Sequence, residues 1–233
     1  MSKTSILSAL SEPATSAYST ADGESDIKAY GATQACSDVA QEILQSARPQ
    51  DIELLLFHTT TSFDLEEVTR EILRWFPNVN IVGCTSAGEF NKNGYGTNKL
   101  LAVAFLKSEF SIATALVPNL GEVNFDEAHE IASSLRRTLQ SREKRYETEQ
   151  HFVISMLDGL SRHEEHFLEI FATAFGNIPH LGGSAGDDLK LEATYVFYDG
   201  KFHSDAAVLL LVGTQKPFTV FSIDHINSPV SKL

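Results

Sequence analysis

Phe76-Pro77-Asn78-Val79-Asn80-Ile81-Val82-Gly83-Cys84-Thr85-Ser86-Ala87-Gly88 returns later in the chain as Phe175-Gly176-Asn177-Ile178-Pro179-His180-Leu181-Gly182-Gly183-Ser184-Ala185-Gly186. Each copy follows an apolar strand and an amphipathic helix at matching spacing. The offset is 99 residues through the strand-helix-strand part and 98 at Ser-Ala-Gly, so one residue is lost near Cys84. One relict repeat of this length is a duplicated subdomain, since solenoids use shorter and more numerous units. Two halves built alike pack against each other, which sets the two glycine loops in equivalent places around a shared cleft.

Outward from the first copy, Ile52 to Phe57 is a continuous apolar run, the pattern of a strand buried on both faces. Ser62 is placed to cap a helix whose first turn carries Asp64, Glu66 and Glu67 and whose apolar face is Leu65, Val68, Ile72 and Phe76. Val79 to Val82 is the next strand. Leu100 to Leu106 and Ser111 to Val117 read as an antiparallel hairpin closed by Lys107-Ser108-Glu109. Asn124 and Glu127 form a capping-box pattern. In the second copy Phe152 to Leu157 is the strand, Ser161 and Glu164 a second capping box, and Phe167, Ile170, Phe171 and Phe175 the helix face. Thr194 to Tyr198 and Ala206 to Val212 flank the turn signal Asp199-Gly200, and Phe218 to Ile223 reads as a last strand.

Before the first copy, Ala32, Ala35, Val39, Ile43 and Leu44 recur at helical spacing until Pro49, and residues 1–25, rich in Ser, Ala and Thr, read as a flexible leader. The reading is therefore an α/β fold: two similar strand-helix-strand-meander subdomains with mixed sheets, packed pseudo-symmetrically. The domain spans 26–228, with repeats over about 52–145 and 151–226.

The 233 residues carry 18 basic and 31 acidic side chains, a formal net charge of −13. That balance offers no cationic surface to displace nucleic-acid counterions and repels an anionic membrane. No run approaches the ~20 apolar residues of a membrane helix. Cys36 and Cys84 are the only cysteines and share no metal-ligand spacing. They fit a reducing compartment, and the expectation is a cytoplasmic protein.

Three stretches, Ile81 to Phe90, Leu157-Asp158-Gly159-Leu160 and Leu181 to Asp188, resemble the FIST sensory domain in order and separation, and the resemblance covers roughly residues 30 to 228. It implies an input domain of intracellular signal transduction that binds a small molecule, with a histidine kinase or a diguanylate cyclase or phosphodiesterase as partner. Gly83 to Phe90, Gly94-Tyr95 and Asp224 to Pro229 are most similar to a stand-alone subgroup in which haem b senses nitric oxide beside a two-component kinase. Family members normally continue into a C-terminal FIST domain, expected to be absent after Leu233. The alternative reading is a ligand-free interaction scaffold, with a hydrolase behind it.

The candidate ligand-binding residues are Cys84, Thr85, Ser86 and Gly88 from the first loop, Gly183 and Ser184 from the second, and the acids Asp158, Asp187 and Asp188. Backbone N–H groups of the loops suit an anion, and converging carboxylates suit a cation or amine. The plainer alternatives are a tight strand exit for the glycines and turn capping for the acids. Haem needs an axial ligand in an apolar pocket. His58 ends a buried strand and His225 follows Ile223, so these two are the candidate haem ligands, with Cys84 able to ligate or to pack. No CxxCH, HExxH or Walker pattern occurs, and no catalytic residue is assigned. His163-Glu164-Glu165-His166 lacks an evident third zinc ligand.

Overall fold

The computed structural model describes residues 6–10, 31–91, 94–142 and 150–220. Its elements run β1 (Ile6–Leu10), α1 (Ala32–Leu44), β2 (Ile52–Thr60), α2 (Leu65–Trp75), β3 (Asn80–Ser86), β4 (Glu89–Asn91), β5 (Gly94–Gly96) and β6 (Leu100–Leu106). They continue as β7 (Phe110–Pro118), α3 (Phe125–Arg142), β8 (Gln150–Leu157), α4 (Glu164–Phe175), β9 (His180–Ser184), β10 (Val196–Tyr198), β11 (Lys201–His203) and β12 (Ala206–Thr214). One sheet has the order β1-β6-β2-β3-β10-β11 and the other β7-β12-β8-β9, with β4-β5 a separate hairpin.

The two sheets repeat one topology. β2 pairs parallel with β3 as β8 does with β9, and β6 and β12 are the antiparallel neighbours of β2 and β8. β1 on β6 corresponds to β7 on β12. The structural unit thus begins one strand and one helix earlier than the glycine-loop repeat indicates. Its first strand, Ile6–Leu10, lies inside the segment expected to be a leader.

Apolar positions form three layers of core. In β2, Leu55 and Phe57 face α1 and α2 and pack with Val39, Ile43, Val68 and Ile72, while Leu54 and Leu56 face the other sheet. Ile52 shares the helix-facing side with Leu55 despite odd spacing, because a bulge between Ile52 and Leu54 shifts the pleat by one residue. Likewise Leu209 and Leu211 of β12 face α3 and α4, and Val208, Leu210 and Val212 face inward with Leu54, Val82 and Ile112. Both sheets are therefore covered on both faces, in a helix-sheet-sheet-helix sandwich. A fully buried Leu, Ile or Phe contributes about 1.5–3 kcal/mol, so the three layers are the main source of cohesion.

Four local expectations change. Leu100–Leu106 and the strand after it do not form a hairpin: β6 belongs to the first sheet and β7 to the second. The chain turns a corner at Lys107–Glu109, where Phe105 and Phe110 stack edge to face at 5.2 Å between the sheets. Asp199-Gly200 is a turn, with φ of 48° and 73°, but it joins β10 to β11, which extend the first sheet by pairing with β3. β12 lies in the other sheet. Asp64, not Ser62, caps α2, accepting the amides of Glu66 and Glu67 at 2.9 and 3.4 Å. At α4, Ser161 accepts only the amide of His163, which itself occupies the cap position without a side-chain bond, because Arg162 intervenes at φ 62°. The Asn124 cap holds as expected, accepting from Glu127 at 3.0 Å. Phe218–Val220 is irregular, and the rest of the expected last strand, with His225, lies outside the described residues. No helix among the described residues is long and apolar enough to cross a membrane.

Candidate functional site

Parallel register places His58 beside Cys84 and Thr60 beside Ser86 at the C-terminal ends of β2 and β3. The pleat that points Leu54 and Leu56 toward the second sheet points His58 the same way, with Cys84 and Ser86 beside it. Opposite them stand Ile154 and Met156 of β8 and Leu181 and Gly183 of β9. Between these walls is a cleft of about 510 Å³ that also touches Thr85, Gly88, Ser184 and Gly186. Both glycine loops therefore border one cavity, as the duplicated sequence led us to expect.

The loops touch as well as face each other. The Gly186 amide donates to the Thr85 carbonyl at 3.0 Å. A Cβ on Gly186 would lie 2.9 Å from the Ala87 nitrogen, so the approach requires glycine. Gly88 turns the first loop at φ 126°, a conformation that L side chains rarely adopt. Thr85 is buried and ties this loop to the entry of β10: its amide donates to the Tyr195 carbonyl at 2.9 Å and its hydroxyl accepts the Tyr195 amide at 3.0 Å.

The polar floor of the cleft is a His58–Cys84 pair, with Nδ1 3.2 Å from Sγ. Burial holds the His58 imidazole below its usual range, and burial followed by the charge of Glu89 pushes the Cys84 thiol up to about 12. The pair is thus neutral imidazole and thiol at neutral pH, unlike the thiolate–imidazolium of a cysteine hydrolase. This leaves a soft donor pair on an apolar wall. Among the described residues no three His, Cys, Asp or Glu side chains converge as a metal site requires.

The acids divide. Asp158 and Asp187 do not line the cleft. Asp158 accepts the amides of Leu160 and Asp205 at 3.0 and 2.6 Å and the Thr194 hydroxyl, tying the end of β8 to the start of β12. Asp187 accepts the amides of Leu191, Glu192 and Ala193 at 3.0, 2.6 and 3.1 Å. Burial opposes its ionisation, but these donors prevail and hold its carboxyl below the usual range. Turn capping, the plainer alternative, describes both. Asp188 accepts the hydroxyls of Thr60, Thr61 and Ser62 at 2.6, 3.2 and 3.4 Å. Ser184, at the cleft edge, donates to Glu164 at 3.3 Å.

Sequence reasoning missed Glu89 as a site residue. Glu89 is 3% exposed and accepts the Ser86 hydroxyl at 2.5 Å through Oε1. Burial pushes its carboxyl up to about 7; the Ser86 hydrogen bond opposes this, and the Asp188 charge adds to it. Also missed were Leu56, Ile154, Met156 and Leu181, the apolar walls. Their signal was the strand alternation, which places every second residue of β2 and β8 between the sheets. A larger groove of about 880 Å³ runs along β9 past Gln150, His151, His180 and Phe218, but it contains neither the His58–Cys84 pair nor the Ser-Ala-Gly loops.

The sequence profile of the FIST N domain matches residues 53–230. No curated protein matches the chain. Among solved structures, the crystal structure of a cyanuric acid hydrolase from A. caulinodans aligns over 91% of this chain and 71% of its own, with 8% identity and a TM-score of 0.43.

Proposed function

This chain belongs to the FIST N domain family of sensory ligand-binding domains, and from that premise we propose that it takes a small molecule into the cleft between its two sheets. The observation that carries the reading is the cavity itself. About 510 Å³ is left open where two duplicated loops meet, although packed side chains fill the rest of the space between the sheets. An interaction scaffold has no need of that space. Ligand pockets of this size combine apolar walls with a few placed polar groups. Here the walls are Leu56, Ile154, Met156 and Leu181, and the polar groups are His58, Cys84, Ser86, Ser184 and the loop backbones.

Cys84, Thr85, Ser86 and Gly88 form one lip and Gly183 and Ser184 the other. Asp158, Asp187 and Asp188 brace the loops from outside the cleft wall. A ligand touching both lips favours one relative setting of the two halves and shifts the population toward it. The surface so altered is read by a histidine kinase or a cyclic-di-GMP enzyme.

The more specific occupant is haem b, with nitric oxide as its signal. The donor set fits one axial bond. His58 is neutral and faces an apolar wall, and Cys84 engages Nδ1 and leaves Nε2 for iron. Haem would supply the iron site for the diatomic gas, while the residues of this chain would orient the imidazole and exclude water. His225 remains the second candidate.

Gly183 provides the test. A Cβ there meets nothing within 4 Å, so Gly183→Phe fills the cleft without a backbone clash. Wild-type protein should give a ligand-dependent rise in thermal midpoint in a small-molecule panel, or a Soret band on haem reconstitution. G183F should fold normally and lose that response, and H58A should lose the Soret band. Equal responses in wild type and G183F would overturn the cleft as the binding site. A G183F-sensitive response without a Soret band would retain the sensor and exclude haem.

A further inference from the structure

Immediately beyond each glycine loop stands a carboxylate with one oxygen unused. Glu89 directs Oε1 to the Ser86 hydroxyl, while its buried Oε2 has no hydrogen-bond partner. Asp188 gathers the hydroxyls of Thr60, Thr61 and Ser62 on Oδ2, and its buried Oδ1 has none either. The two carboxylates are neighbours through their anchors: Thr60 and Ser86 are register partners on adjacent strands, about 4.8 Å apart, and both side chains lie on the same face. The charge of Asp188 acts directly on Glu89.

Such an arrangement is costly as it stands. A buried carboxylate oxygen forfeits its hydration, and a second like charge nearby adds repulsion. Lys99 acts on Glu89, and Lys190 reaches the Ser62 hydroxyl at 3.5 Å, but neither lysine pairs with either carboxylate. The hydroxyls around the pair donate their protons to the carboxylates, so the surroundings of both acids are oxygen. The arrangement is thus all oxygen and, with both carboxylates ionised, doubly anionic, with neither acid paired to a lysine. Soft metals want nitrogen or sulfur, whereas a hard divalent cation wants this set and completes its shell with water.

We propose that Glu89 and Asp188 hold a hard divalent cation, Ca²⁺ or Mg²⁺, at the junction of the two glycine loops. The ion bridges the first loop to the second through Oε2 and Oδ1 and fixes the distance between the lips of the cleft. Its position does not depend on what occupies the cleft, so a colourless or ligand-free protein still carries it. Two carboxylates with hydroxyl and water ligands make a weak site, in the range of about 10⁻⁴–10⁻³ M.

The test uses the whole chain at pH 8, above the Glu89 value of about 7. Calorimetric titration with CaCl₂ and MgCl₂ alone should give one site per chain, and a saturating ion should raise the unfolding midpoint by about 2–5 °C. Glu89→Gln and Asp188→Asn keep shape and remove charge, and Asn tolerates the φ of 57° at position 188. Each should weaken binding at least tenfold, and E89Q should raise the cation-free midpoint because the repulsion is gone. Three results would overturn the proposal: no heat and no midpoint shift at millimolar ion in wild type, an equal shift from sodium chloride at matched ionic strength, or wild-type affinity in both variants.

Discussion

The Gly186 amide donates to the Thr85 carbonyl at 3.0 Å, joining residues 101 positions apart on the two glycine loops. The contact fixes how closely the lips of the cleft approach, and it depends on the lack of a side chain at position 186.

Gly186→Ala should therefore destabilise the protein by overpacking. The new Cβ would lie 2.9 Å from a backbone nitrogen, so the loops must part, at a cost of about 1–3 kcal/mol. Urea denaturation checks this, with a lower midpoint expected at unchanged slope. G183A, where a Cβ has open space, is the control.

Phe197 joins the second unit to the first. Its ring lies 5.0 Å from both Phe57 and Phe202 in edge-to-face contact and is fully buried. Phe197→Ala should cost about 3–5 kcal/mol. The β10–β11 hairpin should leave β3 first, seen as amide exchange at Val196–Tyr198 faster than in β12.

Asp187 ties pH to the second loop. Its folded carboxyl titrates below the ordinary value of 3.8, so its contribution is present above that value and is lost as pH falls through the folded one. Asp187→Asn should lower the thermal midpoint at pH 7, with the gap to wild type closing under acid conditions. A gap that stayed constant from pH 7 to below 3.8 would contradict this assignment.

Asp64→Ala should destabilise by about 1 kcal/mol through loss of the α2 cap. Ser62→Ala should cost less, since that hydroxyl makes only long contacts, to Asp188 at 3.4 Å and Lys190 at 3.5 Å. Chemical denaturation of the two variants ranks them.

Elements with strong periodicity were legible from sequence: the apolar runs of β2 and β8, the faces of α1, α2 and α4, and the two loops. The sheet change between β6 and β7 was not. Two β-rich runs with a three-residue link look the same whether they fold back or turn a corner, and the Phe105–Phe110 contact that distinguishes them is tertiary. Asp199-Gly200 likewise located a turn without saying which strand its hairpin would join. At the site, His58 and Cys84 were each legible as candidates, and parallel pairing of β2 with β3 makes them neighbours. Asp158, Asp187 and Glu89 carry one chemistry in sequence and different roles in space. Backbone donors surround the first two, and a hydroxyl and an acid surround the third.

The exchange of Val196–Tyr198 onto β3 has an evolutionary corollary. Duplication produced an interlocked pair, because the first unit borrows its outer strands from the second. Neither half can be expressed alone without leaving a raw backbone margin on the other. Gene fragments cut at the apparent midpoint should yield insoluble products, whereas co-expressed halves should reassemble.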